Sequence, residues 1–193
     1  RQTGIEQGIG ADAVIGPGDT IVLPEFTEPW IFMHEAELAL VIKGPAKKVT
    51  AENWRSAVFG YTGMIDVSAR GEGRRTWKAG SWLGKSFDTF APLGPCLATL
   101  DEIPNPNALK IKTILNGQTM QDWTTEDMIF DVRTLVAFLS GSTTLAPGTV
   151  IMTGTPHGVG AARKPPVFLK AGDTVTIEIE KIGQLTNPVV DEA

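Results

Sequence analysis

Hydrophobic residues along this chain fall mostly into short runs with the two-residue period of a β-strand. Residues 174–180, TVTIEIE, alternate strictly and place Val175, Ile177 and Ile179 on one face. Residues 109–115, LKIKTIL, also alternate and end at an Asn-Gly pair, which is typical of type I′ hairpin turns. Further strands are predicted at residues 21–23, 36–42, 118–123 and 149–152.

Two segments carry helical signals instead. Residues 50–60, TAENWRSAVFG, begin with Thr50 as a candidate N-cap. Thr124 and Asp127 form a capping-box pattern at the start of residues 125–140, TEDMIFDVRTLVAFLS. The other helical features of this second segment are an expected C-cap at Gly141 and an apolar stripe of Met128, Val132, Leu135, Val136 and Leu139. The chain is therefore expected to be a β-rich α+β protein with few helices.

Composition narrows the class of protein. A length of 193 residues fits one domain, 1–193, with a sizeable core. A net charge of −5 with scattered lysines and arginines predicts no nucleic-acid partner. No apolar run approaches the about 18 residues that span a bilayer, so no membrane partner is expected. The single cysteine, Cys96, is expected to be a buried small hydrophobe, and it predicts a reducing, cytoplasmic location.

Acidic residues interrupt two of the apolar runs. Glu35 and Glu37 lie two positions apart, so a strand would direct both carboxylates to one face, and Asp66 follows a second apolar run in GYTGMIDVSAR. A solvated strand face would explain glutamates in general, but the continuous ALALVI run is typical of a strand buried on both sides. Three oxygen ligands without a Cys or His cluster favour Mg²⁺, Mn²⁺ or Ca²⁺ over zinc.

The ordered series HEAELALVI, GYTGMIDVSAR, GKSFDTFAPLGP, TLAPGTVIMTGTPHGVG and RKPPVFLKAGDTVTIEIEKIGQLTN resembles the catalytic C-terminal domain of the fumarylacetoacetate hydrolase family. The resemblance covers about residues 13–187, and the RKPPVFLKAGD segment is similar to the domain-containing 2 branch. It implies a mixed β-roll or β-sandwich of that family's type, a carboxylate-bound Mg²⁺ (or Mn²⁺ or Ca²⁺), a small oxo acid substrate and a homodimer.

The resemblance also implies roles for individual residues. The family's metal ligands fall on Glu35, Glu37 and Asp66. Its lysine that faces substrate oxygens, a catalytic and substrate-binding group, falls on Lys85, which by composition alone is an ordinary exposed lysine.

Substrate-binding positions of the family fall on Arg70, Gly154 and Thr155, where a hydroxyl and a backbone N–H hold a carboxylate. Without the resemblance, TGTPHGVG is a plain Gly/Pro loop between strands. The chain departs from the family at Gly71 and Gly73, where relatives carry an acidic residue and a glutamine. Substrate orientation and the relatives' reaction are therefore in question.

The catalytic base is the second open point. Hydrolytic relatives use a histidine and a glutamate from a lid upstream of the strand near Val14, and no counterpart is recognisable there. Because position 1 is an arginine, we expect the chain either to be a fragment or to lack its upstream part. His157, beside Thr155, is a candidate catalytic residue, although loop histidines are more often bystanders. His34 should face away from the carboxylates, towards packing or solvent.

The expected activity is metal-dependent hydrolysis of a C–C bond in an acylpyruvate or β-diketo acid, through an enolate that the metal and Lys85 stabilise. If no base is available, decarboxylation or tautomerisation of oxaloacetate, or isomerisation of 2-hydroxyhepta-2,4-diene-1,7-dioate, is the alternative. A second alternative is that the chain is a catalytically silent family member that binds a metal.

Overall fold

The computed structural model describes residues 11–25, 30–71 and 82–193. The strands are β1 (Val14–Ile15), β2 (Ile21–Leu23), β3 (Trp30–Met33), β4 (Ala36–Ile42), β5 (Val58–Ile65), β6 (Ser68–Gly71), β7 (Ala91–Thr99), β8 (Lys110–Leu115), β9 (Gln118–Thr124), β10 (Val150–Met152), β11 (Thr174–Ile179) and β12 (Gly183–Asp191). The helix α1 is Val132–Ser142, and 3₁₀ turns lie at Ala11–Ala13, Trp54–Ser56, Trp82–Lys85, Thr125–Asp127 and Gly160–Ala162. The expected β-rich class with few helices is confirmed.

Two five-stranded sheets organise the described chain, in the orders β1-β7-β5-β4-β10 and β2-β12-β11-β8-β9, with β3 and β6 forming a separate pair. The sheets are mixed, because β1 runs parallel to β7 and β2 parallel to β12 while the other pairs are antiparallel. Side chains of both sheets share one hydrophobic core, for example Leu38 and Ile65 with Ile177 and Leu185. Burial of this shared apolar surface is the main force that holds the sheets together.

The predicted strands are confirmed to within one or two residues at their ends. The β8–β9 hairpin turns at Asn116 and Gly117, whose φ angles of 50° and 81° are both in the left-handed region that a type I′ turn requires. Strand β4 is buried on both faces, as its continuous apolar pattern predicts.

The helix predicted at residues 50–60 is wrong. Only the 3₁₀ turn Trp54–Ser56 forms there, and the chain enters β5 at Val58. Strand β5 pairs with β4 on one side and β7 on the other, so tertiary pairing satisfies its backbone and overrides the local helical signal.

The second helix begins later and ends later than predicted. Thr124 caps the 3₁₀ turn Thr125–Asp127, whereas α1 starts after Asp131, whose carboxylate accepts hydrogen bonds from the backbone N–H and the hydroxyl of Thr134. The helix also continues through Gly141, the expected C-cap, to Ser142. None of the described helices is long and apolar enough to cross a bilayer.

Cys96 is exposed, not buried as predicted. It lies with Pro95 and Leu97 in a stretch of β7 in which three consecutive residues are exposed, after the buried residues at the start of the strand. The neighbouring Pro and Gly interrupt the period-two pattern, so the local apolar composition does not report burial here.

The backbones of β5 and β7 lie so close together at Gly60 that a side chain there has no room. A Cβ atom there would lie 2.4 Å from the Ala98 carbonyl oxygen, whereas one at Gly44 would meet nothing within 4 Å. We therefore expect Gly60→Ala to lower the free energy of unfolding by about 1–3 kcal/mol and Gly44→Ala to change it by less than about 0.5 kcal/mol. Urea denaturation of both variants measures the difference, and equal midpoints would contradict this packing.

Candidate functional site

Three carboxylates from two adjacent strands meet at one end of the first sheet. Glu35 immediately precedes β4, Glu37 lies within it, and Asp66 immediately follows β5. The antiparallel register pairs Ala36 with Ile65, and the Asp66 N–H donates to the Glu35 carbonyl at 2.8 Å. One oxygen from each carboxylate lies within 4.8 Å of the others. The predicted same-face arrangement of the two glutamates is thus present in the structure.

All three carboxylates are buried, with 7%, 4% and 2% of Glu35, Glu37 and Asp66 exposed. Burial and then the neighbouring Asp66 charge raise the pKa of Glu35 and raise that of Glu37 well above its usual range. The cluster therefore needs positive charge to hold all of its carboxylates ionised. Its donor set of oxygens fits a hard divalent cation, so the site is a possible metal centre.

Lys85 brings an ammonium group into this cluster. Its Nζ donates to Asp66, to the Ser68 hydroxyl at 2.7 Å and to Glu35 at 3.4 Å. Burial alone lowers the pKa of Lys85, but Asp66, Glu35 and Glu37 outweigh this and raise it. The exposed lysine that composition alone favours is therefore the wrong interpretation, because Lys85 is largely buried among the carboxylates.

The turn that carries Lys85 lies against β6. A Cβ atom at Gly84 would be 2.5 Å from the Ala69 carbonyl oxygen, so only glycine permits this close approach of the Trp82–Lys85 turn. Gly84 therefore allows the turn to pack against β6, and this packing places the next residue, Lys85, beside the carboxylates.

The TGTP loop lies on the other side of the cluster. The Gly154 N–H donates to Glu37 Oε2 at 2.8 Å, and the Thr153 backbone N–H and hydroxyl both donate to the Leu38 carbonyl. Gly154 has φ of 90°, which glycine adopts without strain. The structure therefore brings the predicted Gly154 next to Glu37, and the predicted Thr155 follows it in the loop, in contact with Gln121.

Arg70 lies on β6 opposite Ile31 and donates to the Ala69 carbonyl at 3.0 Å. Its guanidinium lies beside Gly84, with Nη1 3.1 Å from the position of a Cβ atom there. Its positive charge contributes to lowering the pKa of Glu35 against the larger effect of burial. Gly71, the first of the two divergent positions, ends β6, while the second, Gly73, lies outside the described residues.

The two histidines lie apart from this arrangement. His157 is exposed and packs edge-on against Trp123, with ring centroids 4.2 Å apart. His34 is fully buried, which agrees with packing, one of the two environments expected for it. Burial lowers the pKa of His34 to about 4. Neither of its ring nitrogens has a hydrogen-bond partner within the described chain. In the described residues no hydrogen bond joins either histidine to the carboxylates.

Two polar residues that sequence reasoning missed support the site. The Ser68 hydroxyl accepts a hydrogen bond from the Lys85 ammonium. Gln121 of β9 forms hydrogen bonds with both the start of β4 and the TGTP loop. The sequence carries no signal for Gln121, because it directly follows the buried Met120 and strand alternation would direct it to the other face of β9.

Together, the mixed β-sheets and the buried carboxylate cluster define a β-rich protein with a possible acidic metal site. Residues 9–190 match the family described as fumarylacetoacetate (FAA) hydrolase C-terminal. The chain belongs to the fumarylacetoacetate hydrolase family, as the resemblance predicted.

Curated relatives include "Oxaloacetate tautomerase fahd2, mitochondrial" of Xenopus laevis, 46% identical over 183 residues, covering 93% of this chain and 56% of that protein. "Oxaloacetate tautomerase FAHD2A, mitochondrial" of Homo sapiens is 46% identical over 184 residues, covering 93% of this chain and 57% of that protein. The chain thus spans little more than half the length of these relatives. The cytoplasmic location inferred from the sequence stays a prediction, since both names carry the word mitochondrial.

Solved structures of the same fold include the 5-carboxymethyl-2-hydroxymuconate delta-isomerase of Mycobacterium smegmatis, with a TM-score of 0.82, 42% identity and coverage of 94% of this chain and 67% of that one. Another is the maleylpyruvate hydrolase of Sphingobium sp. SYK-6 in complex with manganese (II) ion and pyruvate, with a TM-score of 0.82, 34% identity and coverage of 94% and 62%. The expected family fold is confirmed. The expected homodimer stays a prediction.

A divalent cation that binds only the folded protein must stabilise it. At 100 times its dissociation constant, Mg²⁺ or Mn²⁺ should add about 2.7 kcal/mol to the unfolding free energy of the wild type. Glu37→Gln preserves shape and an acceptor for the Gly154 N–H but removes a charge, so it should lose most of that increment. Thermal melts with each ion and with EDTA measure it, and the exposed Glu126→Gln is the matched control. Equal stabilisation of Glu37→Gln and wild type would contradict the assignment.

Proposed function

We propose that this chain binds Mg²⁺ or Mn²⁺ through Glu35, Glu37 and Asp66 and catalyses keto–enol tautomerisation of a small 2-oxo dicarboxylic acid such as oxaloacetate. The observation that carries the proposal is the convergence of these buried carboxylates with the Lys85 ammonium. Tautomerases of oxaloacetate among the relatives, at 46% identity, favour this reaction over the C–C hydrolase that the sequence placed first.

A bound divalent cation would supply positive charge that draws electrons from a carbonyl held beside it. Lys85 adds a second positive group, since its neighbouring carboxylates keep it protonated. Of its three N–H donors, the one facing Glu35 has a long contact of 3.4 Å and can turn to a substrate oxygen. An ammonium held in this way stabilises negative charge on an enolate oxygen and does not serve as a base.

The carboxylates of the substrate require other partners. Thr155 offers a hydroxyl next to the residue whose N–H holds Glu37, and Arg70 supplies a guanidinium beside Gly84, the residue that precedes Lys85. A dicarboxylic acid can therefore be held at both of its ends, which orients the enolisable carbon between them. This pairing supports a substrate with two carboxylates.

The position of the histidines also favours tautomerisation. Hydrolysis needs a group that activates water as a nucleophile. Tautomerisation moves one proton between a carbon and an oxygen of the oxo acid, and solvent water can accept and return that proton while the enolate is stabilised. His157, the candidate base, is exposed against Trp123 and is bonded to none of the carboxylates in the described residues. We accordingly do not assign it a catalytic role.

Hydrolysis of an acylpyruvate is the second candidate, because a maleylpyruvate hydrolase shares this fold at 34% identity.

Purified protein with Mg²⁺ or Mn²⁺ is mixed with enol oxaloacetate and, separately, with an acylpyruvate, and the enol absorbance, pyruvate and CO₂ are followed. Faster keto formation without pyruvate or CO₂ supports the tautomerase. Cleavage of the acylpyruvate supports the hydrolase, CO₂ release a decarboxylase, and no turnover a silent metal-binding member; each of these three outcomes would overturn the proposal.

Lys85→Met should lower kcat/KM for oxaloacetate tautomerisation by about 100-fold to 1000-fold, the usual effect of removing one donor to a developing negative oxygen. The matched control is Lys110→Met, which removes an exposed lysine from β8. Initial rates are compared at saturating Mg²⁺, with circular dichroism to verify that both variants fold. A Lys85→Met variant as active as the control would exclude this role for the lysine.

A further inference from the structure

Gln121 is a buried amide with all of its hydrogen-bonding capacity in use. It is 1% exposed and lies on β9, outside the carboxylate cluster. Its Oε1 accepts from the Ala36 N–H at 3.2 Å and from the Thr113 hydroxyl at 2.6 Å. Its Nε2 donates to the Thr155 hydroxyl oxygen at 2.8 Å and to the Pro156 carbonyl at 2.7 Å. No part of this amide is spared for another partner.

The chemistry of the partners determines which way the amide points. The Ala36 N–H can only donate, so the atom facing it must be the carbonyl oxygen. The Pro156 carbonyl can only accept, so the atom facing it must be the NH₂ group. A flipped amide would set donor against donor and acceptor against acceptor in a buried place, which is costly. The donor end of Gln121 is therefore fixed towards the TGTP loop.

This fixed polarity acts on the hydroxyl of Thr155. Because the Thr155 oxygen accepts a hydrogen bond from Gln121, its own O–H is left to donate in another direction. We infer that Gln121 is a positioning residue that holds the Thr155 hydroxyl as a donor towards an anionic oxygen of the bound acid. The inference rests on the proposed function, in which Thr155 binds a substrate carboxylate.

The same amide connects the loop to the strand that carries the glutamates. Ala36 lies between Glu35 and Glu37, and the Gly154 N–H donates to Glu37 on the loop's other side. Gly158, with φ of 98°, lets the loop pack against β9, since a Cβ there would be 2.8 Å from the Met120 carbonyl oxygen. Gln121 thus sets the place of the hydroxyl relative to the cluster as well as its polarity.

The test replaces the donor by an acceptor of the same shape. Gln121→Glu keeps an oxygen for the Ala36 N–H and the Thr113 hydroxyl but presents an oxygen to Thr155 and to the Pro156 carbonyl. The Thr155 O–H then turns towards the new carboxylate, while the Pro156 contact is lost in the wild-type and Thr155→Val backgrounds alike. We expect the affinity of the Mg²⁺-loaded protein for oxalate, measured by calorimetry, to fall about 10-fold to 100-fold, the effect of losing a hydrogen bond to a charged group. KM for oxaloacetate should rise by a similar factor, with kcat and the Mg²⁺ affinity changed less than about threefold.

Two further variants separate this role from a general structural one. Gln118→Glu adds the same charge at an exposed position of the same strand and should leave oxalate binding unchanged. Thr155→Val removes the hydroxyl, so Gln121→Glu in that background should cause no further loss of oxalate affinity if it acts through Thr155. If Gln121→Glu does not fold, Gln121→Met, which also lacks the donor, takes its place in the same cycle.

Each outcome decides the inference. A loss of oxalate affinity that is equally large in the Thr155→Val background, or no loss in Gln121→Glu and Gln121→Met, would overturn it while leaving the proposed function standing. A wild-type protein that binds Mg²⁺ but neither binds oxalate nor converts oxaloacetate would overturn the proposed function itself. A loss of oxalate affinity and a rise in KM that are confined to the background with Thr155 intact support the positioning role.

Discussion

Three carboxylates with almost no access to water are the constraint on which the rest of this structure depends. Like charges at such distances in a poorly solvated place repel one another strongly, and burial alone disfavours their ionised forms. The raised pKa values of Glu35 and Glu37 express that cost. A fold that keeps the cluster must surround it with donors and positive charge, and the structure does so with Lys85, the Ser68 hydroxyl on that lysine and the Gly154 N–H.

The sheets provide the precision that this cluster requires. The antiparallel β4–β5 register fixes Asp66 beside Glu35 through backbone hydrogen bonds, independent of any side-chain conformation. Glycines then bring two further segments close, Gly84 against β6 and Gly158 against β9, where any Cβ atom would clash with a backbone carbonyl oxygen. The site therefore consists of side chains on rigid strands, with a turn and a loop held by backbone contacts, and it is preorganised before a ligand arrives.

The sequence predicted those parts of the fold in which local pattern and tertiary environment agree. The Asn116-Gly117 hairpin and the doubly buried β4 are confirmed because turn chemistry and unbroken apolarity each have one common structural outcome. The helix expected at residues 50–60 is wrong because pairing with two neighbouring strands outweighs a weak local propensity. The approach of Glu35, Glu37 and Asp66 followed from strand alternation and family resemblance. The four hydrogen bonds of the Gln121 amide could not be predicted, since a glutamine within a strand has no sequence pattern that reveals its partners.

Charge arithmetic explains why a divalent ion suits this site better than a monovalent one. Three carboxylates offset by one lysine leave two negative charges in a region with little water. Protons can remove that excess, as the raised pKa values of the glutamates indicate, but a protonated carboxyl is a weaker ligand. A dication balances the excess while all carboxylates stay ionised. In the proposed function, the anionic oxygens of a substrate would then meet a locally neutral cluster. Their negative charge would be left to the Arg70 guanidinium and to the Thr155 hydroxyl, whose oxygen accepts a hydrogen bond from Gln121. On the proposed role of Gln121, the polarity of one buried amide would thereby become part of the charge balance of the whole site.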